Sequence, residues 1–468
     1  TNTIQELPPL PQRGDILDAR GTPLTRQESR WQLYFNIDNI RQLRDVEAKH
    51  FADALAIELG LPFEAVRERL TQWQGLARIK GVLLSEQEAQ RLREWLANSP
   101  WAKYGNLVQL DSQPWTANTE GASMSHVIGV VNAEGRGRDG LQGSMNGILK
   151  QGAKLQLSLD LKTQRNIEHK IKEAVYNLKA EDAMAVVIRL SDFRPIALAS
   201  YPSNDPNYRP GFKSAWQRLR PVTDVFQLGP MLQPFLLAGA YWHTVPTLLE
   251  LAYDFSIANI NNGPQMVNAL GLDKAILSLK QFSLDRKTGI EMPTEARTLC
   301  CGQGDDSTRI SELGQGQAIA TSLIRYASSF AGLVKGGQQH ELKIITQVTH
   351  PDRRVENPTA LNYGAEVAPN LAEKLRYLLI DRVRSATGDP EHKSGGMWAT
   401  YREKHDSGKV NNIVSAAFFS PAYRPEYVVA IKLGLGDRQA DANAGLKLGL
   451  DMVDDLASVQ FVAKATNQ

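Results

Sequence analysis

Cysteine is almost missing from this chain: two in 468 residues, Cys300 and Cys301, side by side. Adjacent thiols cannot staple distant segments and are too few for a closed zinc site. They read as structural thiols, with a vicinal or intermolecular disulfide as the alternative. Charge of one sign is missing too. Lys+Arg 53 against Asp+Glu 51 leaves a net charge of +2, so no whole-chain field points to nucleic acid or an acidic polymer. No apolar run approaches the roughly 18 to 20 residues of a membrane span, and no basic-then-apolar leader follows Thr1. That reads as a soluble chain, or as one cut after an anchor. Internal repeats and low-complexity segments are lacking. The histidines, among them His126, His243, His392 and His405, show no metal-ligand spacing, so neither a metal nor a cofactor is expected.

What is there is ordinary globular material, 42% hydrophobic and 22% charged, long enough for two or more cores. An extended lead-in carries Pro8, Pro9 and Pro11. A small β-element comes next, with a strand-like Trp31–Ile37. From Ile40 to Asn98 the apolar spacing predicts two or three short amphipathic helices, broken near Gly60-Leu-Pro62 and Lys80-Gly81. His126-Val-Ile-Gly-Val-Val reads as a strand before a glycine-rich connection, and the domain boundary is placed at residue 150. Beyond it come a strand from Lys154, a helix over Leu161–Leu178, and a hairpin of Ala183–Leu190 and Pro195–Ala199. Later elements are a helix from Ala318 to Val334, strands at Met397–Arg402, Asn412–Phe419 and Tyr427–Leu433, and a closing helix from Ala440 to Val459. Strands at both ends with helices between predict an α+β domain whose first and last strands meet in an antiparallel sheet, preceded by a smaller mixed α/β domain.

The centre of the pattern is Val222-Thr-Asp-Val-Phe-Gln-Leu-Gly229, a polar lead-in, continued from Pro230 by an apolar helix. A helix start facing a cleft favours a developing oxyanion. A serine there with a lysine one turn on would make a nucleophile and its base. The four residues are Pro230, Met231, Leu232 and Gln233. Pro230 has neither hydroxyl nor backbone N–H, and Gln233 cannot take up a proton at neutral pH. Proline also suits the first turn of any helix.

The order of landmarks resembles the class B penicillin-binding proteins, the peptidoglycan transpeptidases of bacterial division and elongation. Arg13-Gly-Asp-Ile-Leu-Asp-Ala-Arg-Gly, Ile128-Gly-Val-Val-Asn, Leu155-Gln-Leu-Ser-Leu-Asp, Ala199-Ser-Tyr-Pro-Ser-Asn, Thr288-Gly-Ile-Glu-Met-Pro, Leu313-Gly-Gln-Gly-Gln-Ala and Phe419-Ser-Pro-Ala-Tyr-Arg-Pro-Glu-Tyr carry the likeness. It implies a pedestal domain over 1–150 and a transpeptidase-like domain over 151–468. It also implies an extracytoplasmic location on an inner-membrane anchor preceding Thr1, and a polytopic glycan polymerase among cell-wall synthesis partners.

The resemblance implies three motifs; the first two are degraded, and on the favoured placement the third is degraded too. No Ser-x-x-Lys occurs anywhere in the chain. For the second, Ser-x-Asn, taking Ser256-Ile-Ala258 loses the asparagine and taking Ile257-Ala-Asn259 loses the serine. A literal Ser144-Met-Asn146 lies upstream, in the wrong order. For the third, Lys-Thr-Gly, the decoy Lys287-Thr-Gly289 belongs to the Thr-Gly-Ile landmark. Lys393-Ser-Gly395 comes after turn material, and the strand ending in Arg402, Glu403 and Lys404 is the favoured place. The expectation is a catalytically inactive scaffold or regulator of a cell-wall synthesis complex. Two rivals stand beside it: a non-reacting module binding a peptidoglycan stem peptide, with Arg402 or Lys404 meeting its carboxylate, and an enzyme with a relocated nucleophile.

Overall fold

The computed structural model of the chain describes residues 12–72, 74–132, 135–207, 213–244, 262–405 and 407–465. β1 (Ile16–Leu17) leads into β2 (Thr25–Asn36), which forms a three-stranded sheet with β3 (Leu76–Leu84) and β4 (Val108–Asn118), in the order β3-β2-β4. Helices Asp45–Leu59 and Glu86–Ala97 cover one face, and Leu33, Phe35, Phe51, Leu55, Ile79 and Leu92 share a separate small core there. β3 corrects the expectation of helices throughout 40–98. Its buried residues alternate as Ala77, Ile79 and then Val82, Leu84, and the register with β2 shifts between Gln32 and Tyr34. The break expected at Lys80-Gly81 is therefore a strand irregularity, which disguises the period of two.

The stretch expected to be a strand at His126 is instead a short helix, Ser125–Ile128, buried at every position. A brief apolar run cannot separate the two by pattern. β5 (Lys154–Leu157) pairs in parallel with β1. Ile16 and Leu24 lie in the main core together with Met124, Val127, Leu141 and Leu149, so residues on both sides of residue 150 build one core.

Helix Leu161–Leu178 precedes the hairpin of β6 (Asp182–Arg189) and β7 (Arg194–Tyr201). β8 (Val225–Gln227) then joins a three-stranded sheet with β9 (Leu299–Cys300) and β10 (Ile319–Ser322), β10 in the centre. Cys300 and Cys301 are bonded to each other. The long buried helix begins at Leu323 rather than Ala318, because Ser322 caps it by accepting the Arg325 N–H and the residues before it pair with β8. β11 (Gly337–His340) pairs with β14 (Asn362–Val367), while β12 (Ile345–Thr349) bridges β5 and β13 (Val355–Glu356).

After helix Pro369–Thr387, the strands β15 (Gly395–Lys404), β16 (Val410–Ser420) and β17 (Tyr427–Gly434) complete an antiparallel sheet of order β15-β16-β17-β6-β7. β17 pairs with β6, so late and early strands meet as the α+β reading requires. One face packs on helix Leu161–Leu178 and the closing helix Ala444–Ala465, the other on the helical half of the main core. β17 is buried along its whole length, and its apolar run is broken only by Lys432, which pairs with Asp182 (2.8 Å). No helix among the described residues is long and apolar enough to cross a membrane.

Candidate functional site

The turn before the apolar helix is fixed by its neighbours on both sides. β8 pairs with β10, the Leu228 N–H donates to the Ile319 carbonyl (3.1 Å), and the Gly229 N–H donates to the Gly316 carbonyl (3.1 Å). Two prolines, Pro230 and Pro234, each occupy the opening turn of a short helical piece, where a missing N–H costs no intrahelical bond. Gly229–Leu232 is a 3₁₀ turn, with the Met231 N–H donating to the Leu228 carbonyl (3.0 Å), and helix Gln233–Trp242 continues from it. The Tyr326 hydroxyl donates to the Met231 carbonyl (2.9 Å). Pro230 and Gln233 are both buried, Gln233 with 1% exposure. An oxyanion needs free donors aimed at it. Here the N–H groups of residues 228, 229 and 231 are already spent, and Pro230 has none.

The facing wall is the edge strand β15. Met397, Ala399 and Tyr401 belong to the core on the turn's side of the sheet, whereas Trp398 belongs to the opposite core. Tyr401 lies against the turn: Gly229 has φ +53°, and a Cβ there would stand 2.7 Å from the Tyr401 ring. The Tyr401 hydroxyl donates to the Gln227 carbonyl (2.5 Å) and lies 3.4 Å from Ser415 Oγ. Burial pushes that phenol well above its ordinary value. Glu403, 5% exposed, accepts the Gln227 N–H (2.8 Å) and lies 3.4 Å from His405 Nε2. One strand thus grips both backbone groups of Gln227, the last residue of β8 before the turn.

The motif positions separate accordingly. Pro230 and Gln233 lie at the turn, and Glu403 touches the strand that leads into it. Arg402 is exposed, pairs with Asn412, and alternates to the face away from Tyr401 and Glu403. Lys404 pairs through its backbone with Val410, and its side chain lies outside the described residues. Ser256, Ala258 and Asn259 also lie outside them. Ser144 donates to the Glu291 carbonyl (2.8 Å), and the Asn146 side-chain carbonyl accepts from Arg13 (3.0 Å) and from the Gly137 N–H (2.9 Å). The Thr288 and Gly289 N–H groups are held by Glu295. Ser394 donates to Asp454 (2.6 Å), on the side of the closing helix. None of these three look-alikes meets the turn.

Tyr401 and Gln227 are the functional-site residues that motif reading passed over. The available signal was Gly229 itself, a glycine before the proline that leaves room for a ring. His126 is buried, its Nε2 3.1 Å from the Pro202 carbonyl, and burial lowers its pKa to about 4. Among the described residues no group of three or more His, Cys, Asp or Glu could hold a metal ion.

Residues 257–448 match the family model described as "Penicillin binding protein transpeptidase domain". The chain is 32% identical over 329 residues to the probable peptidoglycan D,D-transpeptidase PenA of Neisseria flavescens, covering 63% of this chain and 79% of that protein. It is 20% identical over 503 residues to the stage V sporulation protein D of Bacillus subtilis, covering 91% of this chain and 75% of that one. Other curated relatives are matched over only 25% or 43% of their length. Among solved structures, penicillin-binding protein 3 of Mycobacterium tuberculosis, complexed with aztreonam, superposes with a TM-score of 0.72 at 16% identity, covering 96% of each chain. That likeness concerns the fold.

Proposed function

The chain belongs to the penicillin-binding-protein transpeptidase family, and from that premise we propose that it is a catalytically inactive member acting by contact. It serves as a scaffold or regulator of an extracytoplasmic cell-wall synthesis complex. The observation that carries this reading is the turn Gly229–Leu232: proline where the nucleophile would stand, glutamine where its base would stand, and neighbouring N–H groups committed to the protein's own carbonyls. Removing a serine hydrolase's nucleophile or base alone costs about a millionfold in turnover. Losing both, with the donors occupied, leaves no acyl-transfer route through this helix.

Contact remains as the use of a fold kept this intact. The small domain with its own core offers a surface independent of the cleft, and a polytopic glycan polymerase is the partner class we assign to it. The orientation of Arg402 away from the turn gives no support to the stem-peptide reading. The test is incubation of the purified chain with a biotinylated penicillin and then intact-mass measurement, beside a labelled active transpeptidase. The mass is expected to stay unchanged, and a stoichiometric covalent adduct would overturn the proposal.

A further inference from the structure

Away from the cleft, one face of the buried helix Leu323–Lys335 is polar. Arg325, Ser328, Ser329 and Gly332 recur at the i, i+3, i+4 and i+7 spacing of a single helix face. Arg325 is 1% exposed, and Ser328 and Ser329 are fully buried. The Arg325 guanidinium donates through Nη1 to the Tyr363 hydroxyl (2.8 Å) and through Nε to Ser329 Oγ (3.2 Å), while its Nη2 is buried with no partner. No ion pair joins Arg325 to a carboxylate among the described residues. An arginine stays charged in a protein, and a buried charge is costly unless it is paired. Its place in the first turn of the helix adds to that cost, since the helix start is itself partly positive.

The opposite wall of the seam is equally short of partners. Gln339 on β11 is fully buried, with both its amide oxygen and nitrogen unpartnered. It sits directly across from Tyr363 in the sheet. Its amide lies against the helix so closely that a Cβ on Gly332 would stand 1.7 Å from Nε2. Ser283 Oγ, also buried and unpartnered, lies 3.0 Å from where a Cβ on Gly364 would be. Ser328 Oγ is unpartnered as well. A second cation stands at the edge: the Arg286 guanidinium is 4.8 Å from the centroid of the Tyr363 ring, and that of Arg325 is 6.0 Å from it.

We propose that this seam is a buried site for a small monovalent anion of halide size, held by Arg325 Nη2 with hydroxyl and amide donors from Ser328, Ser283 and Gln339. Ordered water could satisfy lone hydroxyls, but it would leave the guanidinium charge unbalanced. The side chains already packed against Gly332 and Gly364 leave no room there for a phosphate or a larger carboxylate. The same helix carries Tyr326, which holds the Met231 carbonyl, so the ion would brace the element that supports the proline turn. The inference is independent of whether the cleft is active.

The test uses the full chain with sodium bromide as probe. In bromide-soaked crystals, an anomalous peak is expected beside Arg325 Nη2. In solution, replacing gluconate by bromide at constant ionic strength should raise the melting temperature by about 2–4 °C, and Arg325→Met should abolish that increment. Seam density without anomalous signal, or an Arg325→Met protein that keeps the full bromide response, would overturn the proposal. Should Arg325→Met fail to fold, the bromide map of the unaltered protein decides alone.

Discussion

At the scale of single residues, the absent serine and lysine are not the only obstacle to acyl transfer at the turn. Restoring them as Pro230→Ser with Gln233→Lys brings back one backbone N–H at position 230 but leaves the Leu228, Gly229 and Met231 N–H groups occupied and the Tyr401 ring against Gly229. The double variant is expected to remain unlabelled by the biotinylated penicillin that marks an active transpeptidase. Rapid stoichiometric labelling would show that the cleft is otherwise competent. Only part of this obstacle is legible in the sequence. Pro230 and Gln233 can be placed because landmarks on both sides set the frame, and their chemistry is a matter of residue type. Tyr401 and Glu403 cannot be read in the same way. Nothing local in a strand ending Thr-Tyr-Arg-Glu-Lys says that a phenol and a carboxylate both reach back to Gln227, a separation of more than 170 residues.

At the scale of elements, the five-stranded sheet and its helices are legible because most of them keep one period over many residues. Helix Leu161–Leu178 and strands β6, β7, β16 and β17 lie where the pattern puts them. Where the period is interrupted, as in β3, or the element is too short to show one, as at Ser125–Ile128, the pattern indicates the wrong type. β15 shows what the period cannot supply. Its alternation tells which residues share a face, but the grip on Gln227 depends on another sheet brought alongside. Because Tyr401 holds the carbonyl and Glu403 the N–H of one residue, their losses should not add. Glu403→Ala leaves a backbone donor of β8 without its acceptor, and Tyr401→Phe leaves the carbonyl, each at a cost of about 1–3 kcal/mol. Urea denaturation of the single and double variants measures the coupling. Amide exchange at Gln227 should accelerate in Glu403→Ala while exchange along β17 stays slow. Unchanged exchange at Gln227 would mean that the strand edge, not the carboxylate, protects it.

At the scale of the whole molecule, the small domain is an insertion rather than a leading segment. The Thr119 N–H donates to the Leu24 carbonyl at 3.0 Å, and Thr25 pairs with Asn118, so the chain leaves and re-enters the main domain at one point. Residues on either side of that point, Ile16 and Leu24 before it and Met124 and Val127 after it, lie in the main core. A glycine-rich stretch near residue 140 looks like a linker from sequence alone, because the packing that joins residues 13–24 to residues beyond 120 has no local signature. A core of its own and adjacent ends are the features that make a domain removable. Replacing residues 25–118 by a short glycine-containing turn should therefore leave the main domain with a cooperative thermal transition. If contact through the small domain is the protein's work, the same deletion should abolish co-purification with a co-expressed glycan polymerase. A deleted protein that melts cooperatively and still holds the polymerase would move the contact surface onto the transpeptidase-like domain. Loss of the transition would instead show that the two cores are coupled more tightly than their separate residue sets imply.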